Sequence, residues 1–258
     1  MPKAIPPTTF TAFGEIAPAT LTSRNKRGQA QSLPKGGKKL YLSPFFYPLG
    51  NPENMNNPAR LVQVILAELK KQPAIYMIGL AGIPGSGKTT LAQALAFQVP
   101  GAVVVPMDGY HIPRARLDAD GLRRRGAPHT FDADIFRTDI EMLHRNRSGI
   151  FPAFDHATKD PLAGAIRVTA DAPLVIVEGL YVLMRDWRLE SLFDLRVFLD
   201  CDFDEAVNRL SARHMQTGVA ATAEEARHRA LTSDRMNTED VLADGCRERA
   251  HLIFSSGC

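Results

Sequence analysis

The chain reads Gly82-Ile83-Pro84-Gly85-Ser86-Gly87-Lys88-Thr89, a stretch that fits the pattern G-x-x-x-x-G-K-[ST] without a gap. Glycines in such a loop let the backbone wrap around a polyphosphate, because they adopt positive φ and carry no Cβ. Amide groups at the start of a helix, together with the helix dipole, favour an anion there. The stretch predicts a nucleotide-binding loop with these candidate contacts: Gly82, Gly85, Ser86, Gly87, Lys88, Thr89 and Thr90.

The residues on either side of the loop support this interpretation. An apolar run that is typical of a buried strand, residues 74–81, precedes the loop, and a strong helix former, residues 90–96, follows it. In this arrangement Lys88 is placed to reach the β- and γ-phosphates, and the hydroxyl of Thr89 is placed to bind Mg²⁺. The sequence therefore predicts that the cofactors are ATP and Mg²⁺.

Composition places the chain among ordinary globular proteins. The 258 residues are 45% apolar and 23% charged, and no run approaches 18 uninterrupted apolar residues, which excludes a membrane span. The three cysteines, Cys201, Cys246 and Cys258, are scattered and lack metal-ligand spacing, which favours a reducing compartment. These features predict a cytoplasmic protein.

The positive charge of the chain is concentrated in residues 1–52, which contain seven Lys or Arg and one acidic residue. The remainder has 24 basic and 27 acidic residues, so nothing in it calls for a nucleic-acid partner. Residues 1–52 are also rich in Pro, Ser, Thr and Gly, and they are interpreted as a disordered extension. An organelle transit peptide is the alternative. The apolar stretch 40–47 is expected to pack on the body or on a neighbouring chain, which leaves a homodimer open.

From residue 58 onward, helical and strand patterns alternate. Such alternation predicts βαβ units and a parallel sheet that is covered by helices on both faces. The expected strands are 74–81, 102–107, 173–177, 195–199 and 251–254. The expected helices are 60–71, the loop helix, 134–147, 204–214, one from a capping box of Thr222 and Glu225, and one from near Thr238.

Two acidic residues follow predicted strands. Asp108 lies just past the second strand, where a general base for an acceptor hydroxyl would be needed, although an Asp-Gly turn is the plain alternative. Glu178 follows four apolar residues, and an acid there is costly unless a cation or a hydrogen bond meets it. Since ligands of such sheets bind at the carboxyl ends of the strands, Glu178 is the candidate for the Mg²⁺ side of the site.

Basic residues could complete the site. Arg209 and Arg213 are four residues apart on one predicted helix and could stabilise a transferring phosphoryl group, unless they form a solvated face. The arginines Arg227, Arg229 and Arg235 look like ordinary surface charge. Each of the loop histidines is read as a plain hydrogen-bonding residue or as a substrate contact, and at least one of the three is expected to touch the substrate: His111, His129 and His156.

Several segments resemble, in order and spacing, the P-loop kinases that include uridine kinase, phosphoribulokinase and bacterial-type pantothenate kinase. These segments are residues 82–90, 108–111, 124–132, 154–156 and 177–179, and the likeness spans roughly residues 74–254. It is closest to the branch of nucleoside or nucleotide kinase-like proteins, or of sugar-transport kinases. Where uridine kinases look like Asp-Ser-Phe-Tyr, this chain has Asp108-Gly109-Tyr110-His111. Where uridine kinases carry a His soon after the Tyr-Asp-Phe segment, this chain has Lys159.

The resemblance implies a three-layer P-loop fold with a five-stranded parallel sheet of order 2-3-1-4-5 and a helical lid. Residues 53–258 would form the kinase domain, with acceptor-side segments between 110 and 160 and a lid at about 204–235. Asp108 would act as the base, with Glu178 near Mg²⁺ and with Arg209 and Arg213 on the lid. The implied substrate contacts are Tyr110, His111, Arg125, His129, Asp132, Asp155 and His156.

The leading hypothesis is a kinase that moves the γ-phosphate of ATP to a hydroxyl of a small molecule such as a nucleoside, a pantothenate-like compound or a sugar. One alternative is a P-loop ATPase or nucleotide switch without such an acceptor. A GTPase would call for Asn-Lys-x-Asp after a strand, and Asn25-Lys26 does not qualify because it lies in the extension and Arg27-Gly28 follow it. A third reading is an ATP-binding scaffold, against which the joint presence of Lys88, Asp108 and Glu178 argues.

Overall fold

The computed structural model describes residues 58–72 and 76–256. The expectations for residues 1–52, including the packing of residues 40–47, lie outside the described residues, as does Cys258. Within the described part of the chain, no helix is both long enough and apolar enough to cross a membrane.

Five parallel strands form the central sheet. They are β1 (Met77–Gly82), β2 (Val103–Pro106), β5 (Val175–Glu178), β6 (Leu195–Cys201) and β7 (Leu252–Ser256), and they lie side by side in the order β2-β5-β1-β6-β7. Numbered among themselves along the chain, this order is 2-3-1-4-5. The predicted α/β fold and strand order are therefore confirmed.

Helices cover both faces of this sheet. The helices are α1 (Pro58–Lys71), α2 (Lys88–Gln98), α3 (Ala119–Arg123), α4 (Ala133–Asn146), α5 (Phe203–Gln216), α6 (Ala223–Arg229) and α7 (Arg235–Ala243). Alternate residues of β1 point to opposite faces, so Ile78 and Leu80 pack with α1 and α2, whereas Met77 and Ala81 pack with the α4 side. This alternation divides the core into two layers around the sheet.

A β-hairpin that sequence patterns did not predict lies outside the main sheet. Its strands, β3 (Gly149–Asp155) and β4 (Asp160–Val168), pair in antiparallel fashion. The turn closes tightly because Lys159 adopts a left-handed φ of 61° and its amide donates to the carbonyl oxygen of Asp155 at 2.8 Å. The hairpin gives structure to the segment that was expected to shape an acceptor pocket.

The predicted lid region is a helix pair followed by a third helix. The capping box forms as predicted, since Thr222 accepts from the amide of Glu225 and the Glu225 side chain accepts in return from Thr222. A π-helical turn at Ala230–Asp234 joins α6 to α7. The last helix begins at Arg235 and not near Thr238, because the chain continues through this turn without a break.

Candidate active site

The glycine-rich loop between β1 and α2 forms a cradle of backbone amides. Gly85 and Gly87 have φ values of 78° and 92°, which side chains rarely tolerate. A Cβ at Gly85 would also lie 2.9 Å from the carbonyl oxygen of Ala206 in α5. No side chain in the described structure caps the start of α2, so its first amides remain available to an anion. The contact residues sit here as predicted, with Ser86 buried and Thr89 and Thr90 exposed.

Lys88 lies buried beneath this loop. Its ammonium group donates to the carbonyl oxygen of Ile83 at 2.8 Å, across the loop. Burial lowers the pKa of Lys88 to about 8, although the negative charge of Glu178 acts in the opposite direction. The structure therefore holds a cation at the base of the cradle that an anion bound above it would stabilise.

Thr89 and Glu178 present two oxygen ligands beside the loop. The Thr89 hydroxyl donates to Oε1 of Glu178 at 3.0 Å, and the carboxyl group is buried at the end of β5. Burial raises the pKa of Glu178 to about 7, and the nearby charge of Asp108 adds to the effect. Mg²⁺ prefers such hard oxygen ligands and is commonly bound by one or two side chains together with phosphate oxygens. Thr89 and Glu178 could thus hold Mg²⁺.

Strand register brings Asp108 to the same edge. Leu80 of β1 pairs with Glu178, and Glu178 pairs with Pro106 of β2, so the three strand ends lie in line. Asp108 follows two residues later as the exposed residue of an otherwise buried 3₁₀ turn, and its charge acts on the pKa values of both Lys88 and Glu178. A Cβ at Gly109 would overlap the carbonyl group of Pro152, so a glycine is required next to Asp108 where the β3–β4 hairpin packs on this turn.

The two helix arginines occupy different positions near the loop. Arg209 donates to Glu205 at 2.8 Å, and its Nη1 lies 3.4 Å from the carbonyl oxygen of Gly85. Arg213 is exposed, and its charge lowers the pKa values of both Lys88 and Glu178. Both side chains are therefore close to the loop, and Arg213 is the one that presents its charge to solvent.

Two predicted substrate contacts gather beside Asp108. Nδ1 of His111 lies 2.9 Å from the carbonyl oxygen of Asp108, and burial lowers the pKa of this histidine. Its ring stands against Phe131 and Phe154, with centroid distances of 4.0 and 5.0 Å. Arg125 donates to Asp160 at 3.0 Å, and its guanidinium lies 5.8 Å from the Phe154 ring centroid. These residues form an aromatic and cationic wall on the hairpin side.

Three other predicted substrate contacts serve the fold. Tyr110 is only 4% exposed, and its hydroxyl donates to Asp139 at 2.8 Å, which places it in the core instead of a pocket. Asp132 caps α4 by accepting from the amide of Ile135. Asp155 accepts from the Ala157 amide and the Thr158 hydroxyl in the hairpin turn, and these bonds lower its pKa.

The remaining two predicted contacts are exposed histidines. His129 lies on a 3₁₀ turn, Pro128–Thr130, and His156 lies in the hairpin turn with its ring 5.2 Å from that of Phe154. Neither has a contact that ties it to Asp108 in the way that His111 is tied. Among the three loop histidines, His111 is therefore the one that the fold brings to the strand-end carboxylates.

Sequence patterns missed residues that link the lid to the acceptor-side segments. The interpretation of Arg229 as ordinary surface charge was wrong, because it is partly buried and donates to the carbonyl oxygen of Arg125 at 3.2 Å. Lys159 donates to the carbonyl oxygen of Thr217 at the end of α5, at 2.7 Å. Arg227 and Arg235 are exposed, as expected. Of the two linking residues, Arg229 and Lys159, only Lys159 could have been noticed in the sequence, because it stands where uridine kinases carry a His.

Comparison with known proteins places the chain among P-loop proteins. The family model described as "AAA domain" matches residues 78–230. A Schizosaccharomyces pombe protein provisionally named as a uridine kinase is 36% identical over 186 residues, which are 66% of this chain and 79% of that protein. An Aspergillus versicolor protein named as an ATP-dependent kinase-like protein is 34% identical over 149 residues, which are 53% of this chain and 87% of that protein.

A solved structure shows the same fold at similar sequence identity. It is a Silicibacter protein provisionally named as a fructose transport system kinase, which is 34% identical. The match covers 77% of this chain and 98% of that protein, with a TM-score of 0.64. The likeness therefore covers most of the chain and is not restricted to the nucleotide-binding loop.

Proposed function

Because the chain belongs to the P-loop kinase family that includes the uridine kinases, and is therefore a small-molecule kinase, we propose that it moves the γ-phosphate of ATP to a hydroxyl group of a nucleoside, a pantothenate-like compound or a sugar. One observation carries the proposal. The strand register of Leu80, Glu178 and Pro106 lines up the phosphate cradle with Glu178 and Asp108 at one sheet edge.

In this proposal the cradle and Lys88 bind the phosphates of ATP. The buried ammonium turns from the Ile83 carbonyl oxygen toward the β- and γ-phosphates and offsets the charge that develops during transfer. Thr89 and Glu178 would hold Mg²⁺, which when bound neutralises phosphate charge. The glycine backbone fixes the position of the phosphate chain, so that the reacting groups lose little freedom on the way to the transition state.

Asp108 is the proposed general base. Its carboxylate is exposed on a turn that is fixed by the β3–β4 hairpin, and the wall of His111, Phe131 and Phe154 borders that turn. An acceptor that lies against this wall would bring its hydroxyl between Asp108 and the cradle. Asp108 would then orient the hydroxyl and take its proton as the new O–P bond forms.

An acceptor screen tests this proposal against its alternatives. Binding of mant-ATP is measured alongside release of ADP over a panel of nucleosides, pantothenate, sugars and vitamin alcohols. A small-molecule kinase releases ADP far faster with one class of compound than without any. A P-loop ATPase or switch would release ADP at the same rate with every compound, and a scaffold would bind mant-ATP and release none.

We expect the affinity for Mg·ATP to be highest between about pH 7 and about pH 8. Glu178, with a pKa raised to about 7, gains a proton and loses its charge as the pH falls below that value. Lys88, with a pKa lowered to about 8, loses its charge as the pH rises above it. Below and above this range lie the acidic and basic limbs of the pH profile. On each limb the Kd should change by nearly tenfold per pH unit, as for a single titrating group.

The measurement is the Kd of mant-ATP in the presence of Mg²⁺ across this range. Glu178→Gln should remove the part of the acidic limb that comes from titration of the protein. The titration of ATP itself persists in the variant and serves as the internal control. A profile that is flat on both sides of neutrality in the wild type would contradict the assigned roles of Lys88 and Glu178.

Arg213→Ala is expected to lower kcat more than it raises the KM for ATP. Arg213 is exposed in this conformation, yet its charge reaches Lys88 and Glu178, so its main contact with phosphate would form as the lid closes. A loss of about tenfold or more in kcat fits an interaction made in the transition state. Arg227→Ala, on the exposed side of α6, is the matched control. Unchanged kcat in Arg213→Ala, together with amide exchange in residues 204–235 that is already slow without ligand, would show that this segment is a fixed surface helix pair and not a lid.

A further inference from the structure

Arg125 carries a charge that the protein satisfies only in part. Its side chain is 12% exposed, and Nη2 donates to the carbonyl oxygen of Ile112 at 3.2 Å and to Asp160 at 3.0 Å. Nε and Nη1 are buried and have no hydrogen-bond partner among the described residues. A guanidinium cannot give up its proton, so unpaired buried N–H groups are costly and call for an acceptor.

A second arginine approaches from the lid. Arg229 of α6 donates through Nη2 to the carbonyl oxygen of Arg125, and its Nε is also buried without a partner in the described structure. The two residues are 104 positions apart in sequence, so the contact depends on the docking of the lid on the acceptor-side segment. Among the described residues, Asp160 is the one carboxylate that contacts the Arg125 guanidinium, and it also accepts from the Arg114 amide at 2.8 Å. Arg229 thus meets the backbone of a residue whose own guanidinium still has two unpaired buried donors among the described residues.

Of the two arginines, Arg125 borders the proposed acceptor position. The charge of Arg125 acts on His111, which contacts the carbonyl oxygen of Asp108, and the guanidinium lies against Phe154 on the same wall. A molecule that lies on this wall with its hydroxyl at Asp108 would present its other end to the arginines. Guanidinium groups pair best with planar carboxylates and with phosphates, through two parallel hydrogen bonds.

We propose that the acceptor carries an anionic group, a carboxylate or a phosphate, in addition to the hydroxyl that is phosphorylated, and that Arg125 and Arg229 bind this group. The inference rests on the proposed function and narrows it, because it removes neutral nucleosides and neutral sugars from the acceptor classes. It also gives Arg229 a role on the lid, because an anion bound by both arginines would add to the contact that α6 already makes with the acceptor-side segment.

Matched pairs of compounds test the proposal. ADP release is measured with pantothenate and pantothenol, gluconate and glucose, and ribose 5-phosphate and ribose. The anionic member of the accepted pair should have a kcat/KM at least about tenfold higher, and the preferred pair distinguishes a carboxylate from a phosphate. Arg125→Gln should raise the KM for that compound by about 10- to 100-fold with the KM for ATP unchanged, as expected for lost hydrogen bonds to a charged group.

Further variants separate recognition from structure. Arg229→Gln should raise the same KM, whereas Arg227→Gln, two residues earlier on α6 and exposed, should not. Arg125→Lys keeps the charge without the planar fork and should recover only part of the loss. Equal use of the neutral member of a pair would overturn the inference. So would an Arg125→Gln variant that changes the KM values for ATP and acceptor together, since the buried donors would then serve only the fold or ordered water.

A binding measurement keeps the inference separate from the proposed function. If no compound is phosphorylated, the proposed transfer fails, and inorganic phosphate then decides the inference alone. Phosphate is titrated into protein already loaded with Mg²⁺ and a non-hydrolysable ATP analogue, which fills the cradle. A rise in the thermal midpoint that is present in the wild type and in Arg227→Gln, but lost in Arg125→Gln, supports the anion site. No rise in the wild type overturns it.

Discussion

Replacement of Lys88 by alanine is expected to lower kcat by on the order of 10²-fold or more, as for the loss of a charge partner of the transition state. The fold should remain intact, because the loop is shaped by its backbone, through the positive φ values of Gly85 and Gly87. The thermal midpoint should stay the same or rise, since the variant removes a buried cation whose pKa is lowered mainly by burial. A variant that folds well and does not turn over is the expected result.

Steady-state kinetics, mant-ATP binding and a melting curve together check this expectation. Lys70→Ala is the matched control, because Lys70 is an exposed lysine at the end of α1, away from the loop. It removes the same charge and should keep wild-type kinetics. If Lys88→Ala retained more than a third of the wild-type rate, the role of Lys88 in phosphate binding would be refuted.

The sheet and the edge that carries the candidate site were predictable because each depends on local sequence. Alternation of apolar runs and helix formers gives the five strands, and the glycine loop identifies which strand is central. Since carboxyl ends of parallel strands meet at one edge, Glu178 and Asp108 could be placed beside the loop from their positions at the end of β5 and just after β2. The observed strand register agrees with this placement of the two residues.

The acceptor side was less predictable because it depends on contacts between distant segments. Arg125 meets Asp160 35 residues away and Arg229 104 residues away, and residues 111–132 have no periodicity that would fix their path. Local rules could have reassigned two of the seven predicted substrate contacts. Asp132 precedes the amphipathic α4 as an N-cap, and Asp155 begins a turn whose amides it accepts from.

Tyr110 shows a different limit of reasoning from the sequence. It lies two residues from Asp108, and proximity in sequence suggested a role on the acceptor side. The 3₁₀ turn at Met107–Tyr110 instead directs its ring toward Phe136 of α4, with centroids 4.7 Å apart. Its hydroxyl then reaches Asp139 on the same helix. In a turn of this kind neighbouring side chains point in different directions, so adjacency in sequence does not predict a shared pocket.

Asp108→Asn is expected to keep nucleotide affinity and to lose phosphoryl transfer, with kcat lower by about 10²- to 10⁴-fold. An amide has nearly the same shape as the carboxylate, so the turn and its contact with the β3–β4 hairpin should survive. It cannot take the proton of the acceptor hydroxyl, and the oxygen of that hydroxyl would remain a poor nucleophile. The Kd of mant-ATP should stay near the wild-type value, because in the proposed arrangement Asp108 contacts the acceptor and not the nucleotide.

The role of Asp108 is decided by comparing the effect of Asp108→Asn on the kcat of phosphoryl transfer with its effect on the Kd of mant-ATP. Asp186→Asn makes the same chemical change on an exposed 3₁₀ turn far along the chain and should leave both quantities unchanged. Asp108 also raises the pKa of Glu178 through its charge, so its removal should move the acidic limb of Mg·ATP binding to lower pH. A base that acts only on the acceptor predicts this small shift together with a large loss of kcat. If transfer persisted while ATP binding fell, Asp108 would act on the metal side or on the fold. Glu178 could then no longer be treated as the only acid that faces Mg²⁺ in the proposed site.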